Sequence, residues 1–260
     1  MQIHSFAPGE ALAPFIRTFE IIEADEATEK LLVPETGLIL GFRYAGSSSL
    51  LDGPSRLAVP DQVMTGLRVT ARRMLTSAGS GLVLAKFRDG GAGAFLDQPL
   101  HQLFGATIAL EELMGPREVE TASARIRAAR SHRERVDALE RFLLVRKARK
   151  AWQADPLVGA TLRAIHADPG AVRVGPLAQD LGLSVDGLEK RFRRSVGASP
   201  KQLASILRLR RAIGAHRQGS PLTRLALDAG YYDQAHFIRQ VVAAVGVAPR
   251  AFLNAAEFCL

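Results

Sequence analysis

The sequence predicts an α+β chain: a small N-terminal β-barrel with a helical hairpin, then an all-α domain built from two helix-turn-helix units. Three observations predict it. Short apolar segments separated by Gly, Ser, Asp and Pro fill residues 1–99. From Leu100 onward the apolar residues recur at helical spacing. In the last hundred or so residues one motif (Leu-Ala, Gly, a cap residue, an apolar stripe) occurs twice.

The β-rich segment comes first. Residues 37–44, 62–67, 71–77 and 81–87 are rich in Val, Ile, Leu and aromatics, with turn chemistry at 45–49, 52–55 and 89–93. Strands this short and this closely spaced indicate a small barrel or sandwich. Residues 100–155 read as a helical linker or dimerisation segment. Pro116 opens a stretch to Lys150 that predicts two helices, with Val136, Leu139, Leu143 and Leu144 on one face. Such a face suits a homodimer seam and packing on the barrel alike. The basic run Arg146, Lys147, Arg149 and Lys150 complements the dipole at a helix C-terminus. Asp155-Pro156 marks the next boundary, followed by a helix to about His166 and a turn at Asp168-Pro169-Gly170. Residues 156–260 form the third segment.

That segment repeats itself. Leu177-Ala178-Gln179-Asp180-Leu181-Gly182 returns as Leu225-Ala226-Leu227-Asp228-Ala229-Gly230, 48 positions later. Val196-Gly197-Ala198-Ser199-Pro200 returns as Val245-Gly246-Val247-Ala248-Pro249, 49 positions later, so the second turn carries one extra residue. In each copy a short helix ends at a glycine that permits a tight interhelical turn. Ser184 or Asp233 then caps the next helix, because its side-chain oxygen accepts from the free amides. The second helix buries Leu188, Phe192 and Val196 in one copy and Phe237, Val241 and Val245 in the other. Gly197 and Gly246 end these helices, and Pro200 and Pro249 open the following ones. A connecting helix over 200–218, bearing Arg208, Arg210, Arg211 and Arg217, is expected to hold the two units rigidly.

Burying the stripes fixes which side chains face outward. They are Val185, Asp186, Glu189, Lys190, Arg193 and Arg194 in copy one. In copy two they are Gln234, Ala235, His236, Ile238 and Arg239. Arg and Lys pair with guanine, Gln with adenine, and carboxylates with the cytosine amino group. Arg193 and Arg194 lie deeper in the helix and suit phosphate. Charge agrees: residues 156–260 hold 14 Lys+Arg against 7 Asp+Glu, whereas residues 1–155 hold 20 against 19. A basic module of this kind fits a polyanionic partner, since neutralising phosphates releases counterions. Two units joined rigidly would read adjacent major-groove segments of double-stranded DNA about 34 Å apart.

Residues 172–253 resemble the DNA-binding domain of AraC/XylS-type regulators. The match is closest over Ala229-Gly230-Tyr231-Tyr232-Asp233-Gln234-Ala235-His236-Phe237-Ile238-Arg239, where Ala235 takes a place usually held by Ser. Leu188-Glu189-Lys190-Arg191-Phe192 resembles the first unit. Val241, Val242 and Ala243 depart from the family pattern of Phe followed by basic residues, which implies a weaker second grip. The resemblance implies a bipartite reader of promoter or operator DNA that activates or represses transcription in the cytoplasm, with RNA polymerase as a candidate partner. The DNA-binding residues it implies are Ser184, Val185, Asp186, Glu189, Lys190, Arg193, Arg194, Asp233, Gln234, Ala235, His236 and Arg239. Residues 1–150 are similar in arrangement to the cupin-like sensor domains of part of this family, which implies a small-molecule effector or dimerisation. The run Lys86-Phe87-Arg88-Asp89-Gly90-Gly91 resembles a loop of that group, with Asp89 in place of Pro.

Enzyme chemistry has little support. The six histidines, His4, His101, His132, His166, His216 and His236, form no local ligand motif, and none falls in 37–87. Metal sites and cofactors are therefore not expected. There is no phosphate loop, dinucleotide fingerprint or nucleophile elbow. The single cysteine, Cys259, has no base beside it and is not read as a nucleophile. Glu111 and Glu112 read as helix-start charges. Arg43, Arg72, Arg73 and Arg88 read either as surface charges or as partners of an anionic effector. No run of about 18 apolar residues predicts a membrane span, and the N-terminus does not resemble a secretory signal.

Overall fold

The computed structural model describes residues 1–217, 219–254 and 258–259. Ten strands build the N-terminal part: β1 (Gln2–Phe6), β2 (Ile16–Ala24), β3 (Thr28–Leu32), β4 (Ile39–Ala45), β5 (Ser48–Asp52), β6 (Ser55–Ala58), β7 (Gln62–Thr65), β8 (Arg72–Thr76), β9 (Ser80–Phe87) and β10 (Thr107–Ala109). One sheet has the order β1-β2-β9-β4-β7-β10. The other is β3-β8-β5-β6, with the short strand β11 (Phe258–Cys259) added in parallel beside β3. All other pairings are antiparallel. The side chain of Cys259 lies outside the described residues.

The four expected strands are present as β4, β7, β8 and β9. The others escaped notice for physical reasons. β2 is buried on both faces, so it does not alternate apolar with polar: Phe19 and Ile21 point to one side, while Glu20 points to the other and pairs with Lys86 at 3.0 Å. β5 (Ser-Ser-Leu-Leu-Asp) is made largely of turn-type residues, and β6 is a short, exposed strand at the edge of the second sheet. β10 lies beyond residue 99 and closes the first sheet against β7.

Phe19 and Ile21 of β2, Leu40 and Phe42 of β4 and Val83, Ala85 and Phe87 of β9 are fully buried. They face a hairpin of α1 (Pro116–Ala128) and α2 (His132–Ala148), where Phe42 meets Phe142 edge-on at 5.5 Å. Each of these side chains except Ala85 contributes roughly 1.5–3 kcal/mol by leaving water. Val136, Leu139 and Leu143 are buried as expected, but Leu144 is 41% exposed. Phe142 takes its place, because position 142 extends the stripe through 139 and 143, whereas position 144 turns a further ~100° toward solvent. Here the apolar face packs on the barrel.

Helix α3 (Pro156–Ala167) is capped by Asp155, which accepts from Leu157 N and Val158 N and pairs with Arg191 at 3.0 Å. Asp89, the departure noted in the loop after β9, is buried and bonds His166 at 2.6 Å and Arg17 at 3.5 Å. A proline there would carry no such link between the barrel and α3. The buried core runs without a break from the first sheet through Leu67 and Leu100 to Phe192, Val196 and Leu203. A second cluster surrounds Phe237 and takes in Val33 from the barrel. Among the described residues, no helix is long and apolar enough to cross a membrane.

Candidate nucleic-acid interface

The first unit consists of α4 (Val174–Asp180) and α5 (Val185–Val196). Ser184 caps α5, its hydroxyl oxygen accepting from Gly187 N at 3.0 Å. The stripe of Leu188, Phe192 and Val196 is fully buried. The chain leaves the helix through Gly197 at φ +98°, a left-handed conformation that costs little only for glycine. Ser199 and Gln202 then form a reciprocal capping box that opens α6 (Pro200–Ala215).

The second unit repeats this grammar in α7 (Leu222–Asp228) and α8 (Gln234–Val245), followed by α9 (Pro249–Asn254). Asp233 accepts from His236 N at 2.6 Å, Phe237, Val241 and Val245 are buried, and Gly246 ends the helix at φ +80°. The extra residue of the second turn is accommodated by Tyr231 turning inward and Tyr232 outward. Tyr231 packs on Phe237 at 5.0 Å and under the Arg208 guanidinium at 5.5 Å, and burial pushes its phenol up to about 12. Tyr232 is 86% exposed at the mouth of α8.

On α5, Ser184, Val185, Asp186, Lys190, Arg193 and Arg194 are exposed and Glu189 is half-buried. On α8, Asp233, Ala235 and Arg239 are exposed and Gln234 and His236 half-buried. The faces differ electrostatically. Lys190 pairs with Asp186 at 2.9 Å and Arg193 with Glu189 at 3.3 Å, so two cations of the first helix are partly satisfied within it. In the second helix His236 Nδ1 accepts from Tyr232 N at 3.3 Å, which leaves Nε2 to carry the proton of the neutral ring. Gln234 bonds Thr223 across the turn through its side-chain oxygen, which leaves its amide N–H donors. Val242 and Ala243 are exposed and neutral, and Val241 is buried.

The arginines of the connecting helix serve structure. Arg208 donates to Pro169 O at 2.7 Å, Arg211 to His166 O at 2.5 Å, and Arg210 to Pro34 O at 3.3 Å while pairing with Glu35 at 3.1 Å. The expected helix end at Gln218 lies outside the described residues, and the helix itself closes at Ala215.

A second candidate site is the space between the two sheets. A cavity of about 130 Å³ is lined by apolar residues of both, among them Ile22, Leu50, Met74 and Leu84, and by Arg43, Arg68 and Lys86. Arg43 is 4% exposed. Its Nη2 donates to Ser48 Oγ at 2.8 Å and Asp61 stands 3.8 Å from Nε, yet Nε and Nη1 have no hydrogen-bond partner among the described residues. Burial lowers the pKa of Arg43, and burial followed by the neighbouring Arg72 lowers that of Arg68 to about 10. Of the four arginines considered from the sequence, only Arg43 lines this cavity. Arg72 bonds Thr107 and Gly105 O, Arg73 pairs with Glu29 at 2.6 Å, and Arg88 donates to Ala13 O at 2.8 Å. Arg68 and Lys86 were missed. Lys86 sits on an inward-facing position of β9, a signal that period-2 counting along that strand could have supplied.

Comparison with known proteins adds the following. Residues 177–255 match a family model described as a helix-turn-helix domain. No curated protein matches the sequence. Among solved structures, ToxT from Vibrio cholerae is similar at 10% identity and a TM-score of 0.49, over 97% of this chain and 98% of that one. ToxT from Vibrio cholerae O395 bound to (E)-4-(8-methylnaphthalen-1-yl)but-3-enoic acid is similar at 11% identity, over 97% and 98% of the chains, with a TM-score of 0.48. A DNA-binding transcriptional dual regulator from Escherichia coli K-12 is 23% identical over 40% of this chain and 94% of that one, with a TM-score of 0.33. With two N-capped helices whose apolar stripes are buried and the family match over both, residues 177–255 are a helix-turn-helix domain of the AraC type.

Proposed function

We propose that the chain reads a specific promoter or operator through both helix-turn-helix units and that a small ligand in the barrel modulates it. The observation that carries the reading is the pair of N-capped helices whose apolar stripes are buried and whose outward faces present Lys190, Arg193 and Arg194 on α5 and Gln234, His236 and Arg239 on α8. Lys190, Gln234, His236 and Arg239 contact base edges, with Asp186 and Glu189 restricting which bases the first helix accepts. Arg193, Arg194 and the helix-start residues Ser184, Val185, Asp233 and Ala235 set register against the backbone and the groove wall.

The proposed effector is a compact organic anion with an apolar body. An apolar lining with two guanidinium nitrogens that lack hydrogen-bond partners among the described residues supports this class, since a carboxylate would supply acceptors to Arg43. About 130 Å³ suits a group of roughly benzene size without rearrangement.

The test of DNA reading is fluorescence anisotropy with the chain's own upstream promoter region and a scrambled duplex at two salt concentrations. Preference for the promoter that persists at the higher salt is the expected result. Equal, weak and strongly salt-sensitive binding to both duplexes would leave only the sequence-independent charge term and overturn the reading.

A further inference from the structure

Two histidines 128 positions apart meet in the fold. His4 lies on the edge strand β1, opposite Ile21 of β2, and Glu23 follows two residues after Ile21 on the same face. That face looks toward α2, whose first residue is His132. One ligand atom from each of His4, Glu23 and His132 lies within 4.8 Å of the others. His132 Nε2 stands 3.1 Å from Glu23 Oε2, and the two imidazoles lie 4.6 Å apart, centre to centre. All three side chains are half-buried.

From this geometry we infer a binding site for a zinc-class divalent transition-metal ion, held by His4, Glu23 and His132. The donor set is two imidazole nitrogens and one carboxylate oxygen, which suits Zn²⁺ or Co²⁺ and is too nitrogen-rich for Mg²⁺ or Ca²⁺. With neutral imidazoles the set carries one negative charge, so a divalent ion is partly neutralised. In tetrahedral zinc geometry donor atoms stand about 3.4 Å apart, so a side-chain adjustment on the order of 1 Å closes the present arrangement onto an ion. Three protein ligands leave the fourth position to water.

The surroundings orient the carboxylate. Tyr44 Oη donates to Glu23 Oε1 at 2.7 Å, which leaves Oε2 to face His132. Arg135, one turn along α2, lies over the Tyr44 ring at 4.2 Å and fixes it. An outer partner that aims a ligating carboxylate is the usual companion of a metal ligand. Arg135 also opposes a cation electrostatically, so moderate affinity is expected. A bound ion would tie β1 to the start of α2 and so fasten the edge of the first sheet to the helical hairpin.

The test uses the full chain, dialysed against chelator and titrated calorimetrically with Zn²⁺, and with Co²⁺ followed by visible absorption. One ion per chain is expected, with a Co²⁺ spectrum of nitrogen–oxygen ligation and a rise in melting temperature on adding Zn²⁺. Glu23→Gln and His132→Ala should each weaken binding at least tenfold, while His101→Ala, distant in sequence and exposed, should leave it unchanged. His4→Gln, on an edge strand that tolerates a polar replacement, should weaken binding equally and gives the answer should His132→Ala fail to fold. Absence of stoichiometric Zn²⁺ binding, or binding that survives both His4→Gln and Glu23→Gln, would overturn the inference and leave the cluster a histidine–carboxylate ion pair.

Discussion

At the scale of single residues, α5 carries acids that pair with its own cations. Lys190 and Asp186 form an i,i+4 pair in which both side chains are largely exposed. Such a pair contributes only a few tenths of a kcal/mol to the helix, so its main consequence is electrostatic: one cation that could meet DNA already has a partner. Asp186→Ala should therefore raise affinity for a scrambled duplex and steepen the dependence of log K on log salt by about one unit, while eroding preference for the promoter. Lys190→Ala should instead lower promoter affinity. If Asp186→Ala left both the slope and the preference unchanged in anisotropy titrations, the acid would have no part in selectivity. In the barrel, Arg43 shows the opposite economy. Its guanidinium is buried with two nitrogens that make no hydrogen bond among the described residues, an arrangement that a hydrophobic side chain of similar length often replaces without loss. Arg43→Met should leave the melting temperature within a few degrees of wild type, yet abolish the shift produced by small aryl or alkyl carboxylates in a thermal-shift screen. A carboxylate-induced shift that persisted in Arg43→Met would remove Arg43 from the effector site.

Elements carry the next level. The caps, stripes and terminating glycines of α5 and α8 were legible because each is a local device with its own residue type: Ser184 and Asp233 at the start, three apolar residues at helical spacing, Gly197 and Gly246 at the end. Six strands of the barrel were not legible; in β2, for one, both faces are buried and the inward Glu20 is satisfied by Lys86 across on β9, a long-range fact that no local pattern records. Arg68 and the His4–Glu23–His132 cluster were hidden for the same reason, whereas the sequence already marks Arg43 as a candidate partner of an anion. The two glycines allow a comparison within one molecule. A Cβ at Gly246 would meet nothing within 4 Å, so Gly246→Ala should cost about 1–2 kcal/mol from left-handed strain alone. At Gly197 the Cβ would also stand 3.3 Å from Leu100 O and 3.4 Å from Leu67 Cδ1, so Gly197→Ala should cost more. Urea unfolding of the two variants decides it, and equal losses would show that the barrel contact gives way freely. Tyr231 adds a pH signature to the second unit. Its folded pKa of about 12 lies above the ordinary 10.0, so the stability it contributes is complete below pH 10 and is lost as pH rises toward 12. Tyr44 is raised as well and keeps part of this dependence in any variant. Tyr231→Phe should make the fall in urea midpoint above pH 10 shallower, and an unchanged slope would assign the alkaline loss elsewhere.

The whole molecule is held together where the reader meets the barrel. Phe192 and Val196, on the inner face of α5, share one buried cluster with Leu67 and Leu100 of the N-terminal part. The second unit is fastened differently: Ala71 N donates to Ala244 O at 2.6 Å, Val33 enters the cluster around Phe237, and Arg210 of the connecting helix pairs with Glu35, which Lys86 and Arg17 also approach at 3.3 Å. α5 and α8 therefore each rest at their inner side on the domain that encloses the cavity, and Glu35 and Lys86 line that cavity while Arg210 of the connecting helix reaches Glu35. A continuous apolar core of this kind makes separate melting of the two halves costly, because parting them would expose Val196, Ala198 and Ile206 to water. The full chain should thus unfold in a single calorimetric transition whose van't Hoff and calorimetric enthalpies agree. Leu100→Ala, a truncation at the centre of the junction, should lower stability by about 2–5 kcal/mol and move that one transition as a unit. Two transitions in the wild type, or a Leu100→Ala shift confined to one of two, would mean that the helix-turn-helix units and the barrel are energetically independent.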